Sequence, residues 1–91
     1  MEKRLVCMVK GRVQMVMFRD FTQRIAQKLK ITGTVENNSD GSVSVVAQGE
    51  ERVLKEFIED LRRGSLFSRV DSVDVVWSES LGKFKSFDIL Y

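Results

Sequence analysis

Arg19 follows the connection spanning 11–17 and stands one residue inside an amphipathic segment that opens at Phe18. A loop that runs into a helix N-terminus collects anions, because the first turn leaves its backbone N–H groups unpaired and the helix dipole is positive there. The same dipole disfavours a cation in the first turn. A guanidinium set against it is better explained when an anion occupies the loop, since the fork of N–H donors matches phosphate oxygens. Taken alone, Arg19 reads more simply as an exposed surface arginine, partly offset by Asp20. Asn37 has a similar double reading. It is a strand-end turn residue, where asparagine is common, or a neutral amide aimed at a water beside the anion.

The rest of the composition limits the alternatives. The chain has 91 residues, 43% hydrophobic and 31% charged, which suits one small globular domain spanning 1–91. There is no histidine, so Ser-His and Cys-His nucleophiles and His-ligated metal sites are excluded. The one cysteine, Cys7, allows no intrachain disulfide or paired-cysteine metal site, and in a strand it reads as inert. Lys and Arg total 15 against 13 Asp and Glu, and the resulting charge of +2 is too small and scattered to suggest nucleic acid or an anionic membrane. The apolar run from Leu5 to Val9 ends at Lys10, too short for a signal peptide or a membrane span. The expectation is a cytoplasmic protein with no cofactor, no metal and no membrane partner.

Two helices and five strands must position Arg19 and Asn37. Residues 3–10 read as a strand with both faces largely buried, because Leu, Val, Cys and Met occur there without helical spacing. From Phe18 the period changes: Phe18, Phe21, Ile25, Ala26 and Leu29 form a helical stripe. Residues 31–37 and 42–47 read as a hairpin across the turn Asn38-Ser39-Asp40-Gly41. Val53, Leu54, Phe57, Ile58 and Leu61 mark a second helix that stops at Gly64. Val70, Val73, Val75 and Trp77 mark a fourth strand, and Phe84, Phe87, Ile89 and Tyr91 a short fifth.

The order β-α-β-β-α-β predicts a ferredoxin-like α+β sandwich, with two helices on one face of an antiparallel sheet and a short C-terminal strand added. If the third strand lies between the first two and antiparallel to both, those two run in the same direction and end at one edge. Arg19 and Asn37 then face each other across two strand spacings, roughly 10 Å, which an anion and a water can bridge. RNA binding is disfavoured, because neither 3–10 nor 42–47 carries an aromatic residue on which a base could stack.

Gly11-Arg12-Val13-Gln14-Met15-Val16-Met17-Phe18-Arg19, followed by Thr32-Gly33-Thr34-Val35-Glu36-Asn37 and Asp40-Gly41, resembles the acylphosphatase family, and the likeness runs on to Phe87-Asp88-Ile89. The resemblance implies hydrolysis of an acyl phosphate to carboxylate and inorganic phosphate by a monomer without metal or cofactor. It implies that the backbone of Arg12, Val13, Gln14, Met15, Val16, Met17 and Phe18 cradles the phosphate. Arg19 then pairs with the phosphate oxygens and Asn37 orients the attacking water.

Two positions depart from the family pattern. Met15 stands where the family usually has glycine, a residue that serves a positive φ or a close backbone approach. Met15 therefore leaves a second reading open: an impaired, non-catalytic phosphate-binding module of the same fold. Lys30 must end the first helix without an easy left-handed residue. Met17 reads as core or rim packing.

Overall fold

The computed structural model describes residues 2–79, 82 and 84–91. Its elements are β1 (Glu2–Arg12), α1 (Phe18–Lys28), β2 (Thr32–Asn37), β3 (Val43–Glu50), α2 (Glu51–Arg63), β4 (Arg69–Glu79) and β5 (Phe87–Leu90). The sheet order is β4-β1-β3-β2-β5. β3 pairs antiparallel with both β1 and β2, so β1 and β2 run together and end at one edge, as the sequence predicts.

The last strand departs from that expectation. β5 pairs parallel with β2, Gly33 opposite Phe87 and Val35 opposite Ile89, so the sheet is mixed rather than antiparallel throughout. The direction of β4 explains this. β4 is antiparallel to β1 and leaves the sheet where β1 begins, with Lys3 opposite Glu79. A chain that re-enters from that edge runs in the direction of β1 and β2, and it delivers Tyr91 to the edge where they end. Phe84 lies outside the strand, with the Arg4 guanidinium 4.9 Å above its ring.

Burial divides the sheet into two unlike faces. Leu5, Cys7 and Val9 of β1 join Val35, Val43, Val45, Ala47, Val73 and Phe87 in a core closed by the helices. The expectation that both faces of the first strand are buried does not hold. Val6 is 41% exposed and Met8 is half-buried, because both helices pack on the other face. α2 buries Leu54, Phe57, Ile58 and Leu61, with the Phe57 ring edge-on to Phe87 at 6.1 Å. α1 buries Phe18, Thr22 and Ala26, while Phe21, Ile25 and Leu29 are partly covered. Thr22 fits among apolar side chains because its hydroxyl donates to the Phe18 carbonyl, 2.8 Å away.

The end of α1 shows how the chain manages without glycine. The Lys30 N–H bonds to the Gln27 carbonyl at 3.1 Å, and the Ile31 N–H to the Ala26 carbonyl at 2.8 Å. This pair of bonds is a Schellman motif, and it requires a left-handed residue at position 30. Lys30 adopts it, at φ 60°. The buried Ile31 and Ala26 supply the apolar contact that closes the motif.

Cys7 is fully buried in β1, and desolvation pushes its thiol pKa up to about 12, with the Arg62 charge opposing weakly. A group whose folded pKa is raised stabilises fully below its unfolded pKa, near 8.5, and loses that contribution as pH rises toward the folded value. Unfolding free energy measured in urea should therefore fall between about pH 9 and 12, with a slope approaching 1.4 kcal/mol per pH unit that Cys7→Ala removes. Lys30→Gly should raise stability by about 0.5–1 kcal/mol, because relief of the left-handed strain exceeds the added chain entropy. Thermal unfolding would register this as a rise of roughly 2–8 °C.

Candidate active site

The edge where β1 and β2 end carries the site, and the chain builds it by fixing the ends of a loop. Val13 and Phe18 are each 1% exposed and plug into the core, with Val16 packed against it between them. Met15 and Met17 face outward, 99% and 72% exposed, so Met17 lies on the rim and not in the core. Both occupy left-handed backbone, at φ 61° and 62°. Left-handed residues beside right-handed ones turn successive N–H groups to one side, a concavity suited to an anion.

Arg12 belongs to the end of β1, opposite Arg69, and the loop proper is 13–17. Gly11 makes the exit possible. It sits at φ 134° at the register shift after Lys10, and a Cβ there would lie 2.1 Å from the Arg69 carbonyl oxygen. Gln14 holds the loop from the side: its amide nitrogen donates to the carbonyls of Asn38 and Ser42, at 2.7 and 2.8 Å. The Gln14 side chain is thus a strap to the β2–β3 hairpin, and only its backbone can serve the concavity. The hairpin turn is itself tied, since the Ser42 hydroxyl and N–H both donate to the Asp40 carboxylate. Those bonds hold the Asp40 carboxyl below its ordinary pKa.

Helix bonding in α1 begins with the Phe21 N–H to the Met17 carbonyl at 3.0 Å, which leaves the N–H groups of Phe18, Arg19 and Asp20 without helical acceptors. Arg19 sits beside them. Its guanidinium donates to the Leu90 carbonyl at 3.3 Å and lies 4.8 Å from the centroid of the Tyr91 ring. One bond leaves most of its five N–H donors open. Asp20 does not offset it: Asp20 pairs with Arg24 at 3.1 Å, and among the described residues no carboxylate lies within ion-pair range of Arg19.

Asn37 ends β2 on the helix-covered face, in register with Val43 and Val9. Its Oδ1 is buried and has no hydrogen-bond partner. An orphan acceptor costs on the order of 1–3 kcal/mol, and a water's O–H would satisfy it. Arg19, Asn37, Met15 and Met17 all line one hollow of about 540 Å³, together with Tyr91 and Ile89. From the sequence Tyr91 reads only as part of a short fifth strand, because no local pattern reveals that this strand runs beside β2. Among the described residues no cluster of acidic or cysteine ligands could hold a metal ion, and no helix is long and apolar enough to cross a membrane.

The acylphosphatase family profile matches residues 5–89. An acylphosphatase from Lactobacillus gasseri is 49% identical over 90 residues, covering 98% of this chain and 99% of that protein. One from Salinibacter ruber is 44% identical over 88 residues, covering 97% and 93%. The crystal structure of the Bacillus subtilis acylphosphatase superposes with a TM-score of 0.95 at 42% identity, covering the whole of both chains. The chain belongs to the acylphosphatase family. Its activity is hydrolysis of a carboxyl–phosphate bond to carboxylate and inorganic phosphate, and the reading of a non-catalytic module finds no support in these relatives.

Met15 already holds the left-handed conformation that glycine would adopt without strain. Met15→Gly should therefore raise stability by about 0.5–1 kcal/mol while changing kcat/KM for acetyl phosphate by less than about threefold. Thermal unfolding and steady-state kinetics on one preparation check both parts.

Proposed function

We propose that residues 1–91 act as one domain, a monomeric cytoplasmic enzyme that binds the phosphoryl group of an acyl phosphate in the 12–18 backbone and attacks it with a water held by Asn37. The convergence of two features on one hollow carries this reading: the Arg19 guanidinium, with most of its donors open, and the orphan Asn37 Oδ1. The backbone N–H groups of the loop and of the first turn of α1 receive the phosphoryl oxygens, and Arg19 neutralises them. Tyr91 and the Leu90 carbonyl hold the guanidinium in place, so little side-chain freedom remains to be lost when substrate binds.

The Asn37 Oδ1 accepts one hydrogen of the water and points its lone pair at phosphorus. The water oxygen bonds to phosphorus while the bond from phosphorus to the acyl oxygen breaks, and the carboxylate leaves with that electron pair. The water's proton passes to a phosphoryl oxygen of the substrate, giving inorganic phosphate. No histidine is needed, since a carboxylate is a good leaving group and charge stabilisation with positioning supplies the rate. Metal and nucleic acid have no part in this scheme.

Arg19→Ala should reduce hydrolysis of acetyl phosphate by at least about 10³-fold with the fold intact. Asn37→Ala should lower kcat by about 10²-fold while inorganic phosphate inhibits almost as well as before, because its role is on the water. Turnover by the unaltered chain should survive excess chelator. Full activity in Arg19→Ala would remove the assignment.

A further inference from the structure

The connection between α2 and β4 carries two large apolar residues at the tip of a tight turn. Leu66 and Phe67 are 88% and 72% exposed. The turn is locked at its base: the Ser68 N–H donates to the Ser65 carbonyl at 3.2 Å, and the Ser65 N–H to the Ser68 hydroxyl at 2.7 Å. Turn tips ordinarily take small or polar residues. Apolar side chains held rigidly in water at such a place suggest a ligand contact.

Their position relative to the loop is set by sheet order. β4 begins with Arg69 opposite Arg12, so the turn stands beside the exit of β1. β4 and β2 lie on opposite sides of β1, which puts the turn on one flank of the loop and Asn37 on the other. A second hollow, of about 620 Å³, opens on the turn's flank between Leu66, Phe67, Met15, Met17, Val16 and Arg12. Met15 and Met17 line both this hollow and the one that contains Arg19 and Asn37, so the two lie side by side with the methionines as their common wall.

In-line displacement at phosphorus places the leaving group opposite the attacking water. With the water on the Asn37 flank, the acyl group lies on the flank of Leu66 and Phe67. We infer that Leu66 and Phe67, with the two methionines, form an acyl-group subsite that selects acyl phosphates bearing a large apolar or aromatic acyl group. This rests on the roles proposed above for Asn37 and the loop. Arg12 on the same wall places a cation where the departing carboxylate gathers charge. The methionines adapt to the shape of the acyl group, and the locked turn presents a fixed wall.

The test compares kcat/KM for benzoyl phosphate and acetyl phosphate in the unaltered chain, in Leu66→Ser combined with Phe67→Ser, and in Phe67→Leu. Serine at both positions should lower the benzoyl value about tenfold or more while the acetyl value stays within about twofold. Phe67→Leu, which keeps an apolar wall, should retain most of the benzoyl preference. Equal losses on both substrates, or none on either, would overturn the subsite and leave the phosphate site standing. Failure of the unaltered chain to hydrolyse either substrate would remove the phosphate-site reading and this one together. Sedimentation as a dimer that the double substitution dissociates, with selectivity unchanged, would reassign the turn to self-association.

Discussion

The insertion of β3 between β1 and β2 governs everything at the site. Because β3 is antiparallel to both neighbours, β1 and β2 end at the same edge, and the loop after β1 meets the residue that ends β2. The same rule of direction sends α2 back to that edge, so β4 starts there beside Arg12. It also makes β5 run parallel to β2 and carry Tyr91 to Arg19. Four segments far apart in sequence thus deliver the loop, Asn37, the Leu66–Phe67 turn and Tyr91 to one end of the sandwich.

The fold carries backbone strain in the loop at that edge and at the far end of α1. Met15, Met17 and Lys30 occupy left-handed conformations without glycine. At ~1 kcal/mol or a little more apiece, three such residues cost on the order of 3 kcal/mol, against a total stability of 5–15 kcal/mol for a small domain. Lys30 is compensated by two backbone hydrogen bonds and the Ile31–Ala26 contact. Met17 has one such bond, its carbonyl accepting the Phe21 N–H, and Met15 stands two residues before it in the loop. They are held by buried Val13 and Phe18 at the loop's ends and by the Gln14 strap to the hairpin. Strain held in this way fixes the turns at Met15 and Met17 in advance, which is a form of preorganisation.

Much of this was legible in the residues. Periodicity located both helices, because Phe18, Ala26, Leu54, Phe57 and Leu61 recur at the spacing that one buried helical face demands. The β-branched run ending at Asn37 and the Asp40-Gly41 turn located the hairpin. Local pattern was weaker where partners lay far off. It assigned two buried faces to β1, because Val6 and Met8 are as apolar as Leu5 and Val9, and only the placement of the helices tells them apart. It overlooked Thr22, whose hydroxyl is satisfied within its own helix. It overstated β5, since Phe84 packs with Arg4 rather than in the strand.

The sequence by itself determined the element order, the exclusion of histidine chemistry, the family likeness and the identity of Arg19 and Asn37 as candidates, because each depends on residue type and short spacing. Tertiary structure alone decided that the Arg19 guanidinium lies against Tyr91 and the Leu90 carbonyl. It alone decided that Gln14 is a strap, that Asn37 has an orphan oxygen and that Tyr91 and Leu66 flank the same loop. The physical reason is separation along the chain: hydrogen-bond partners and desolvation are set by neighbours in space, and here those neighbours come from strands that meet only when the sheet is complete.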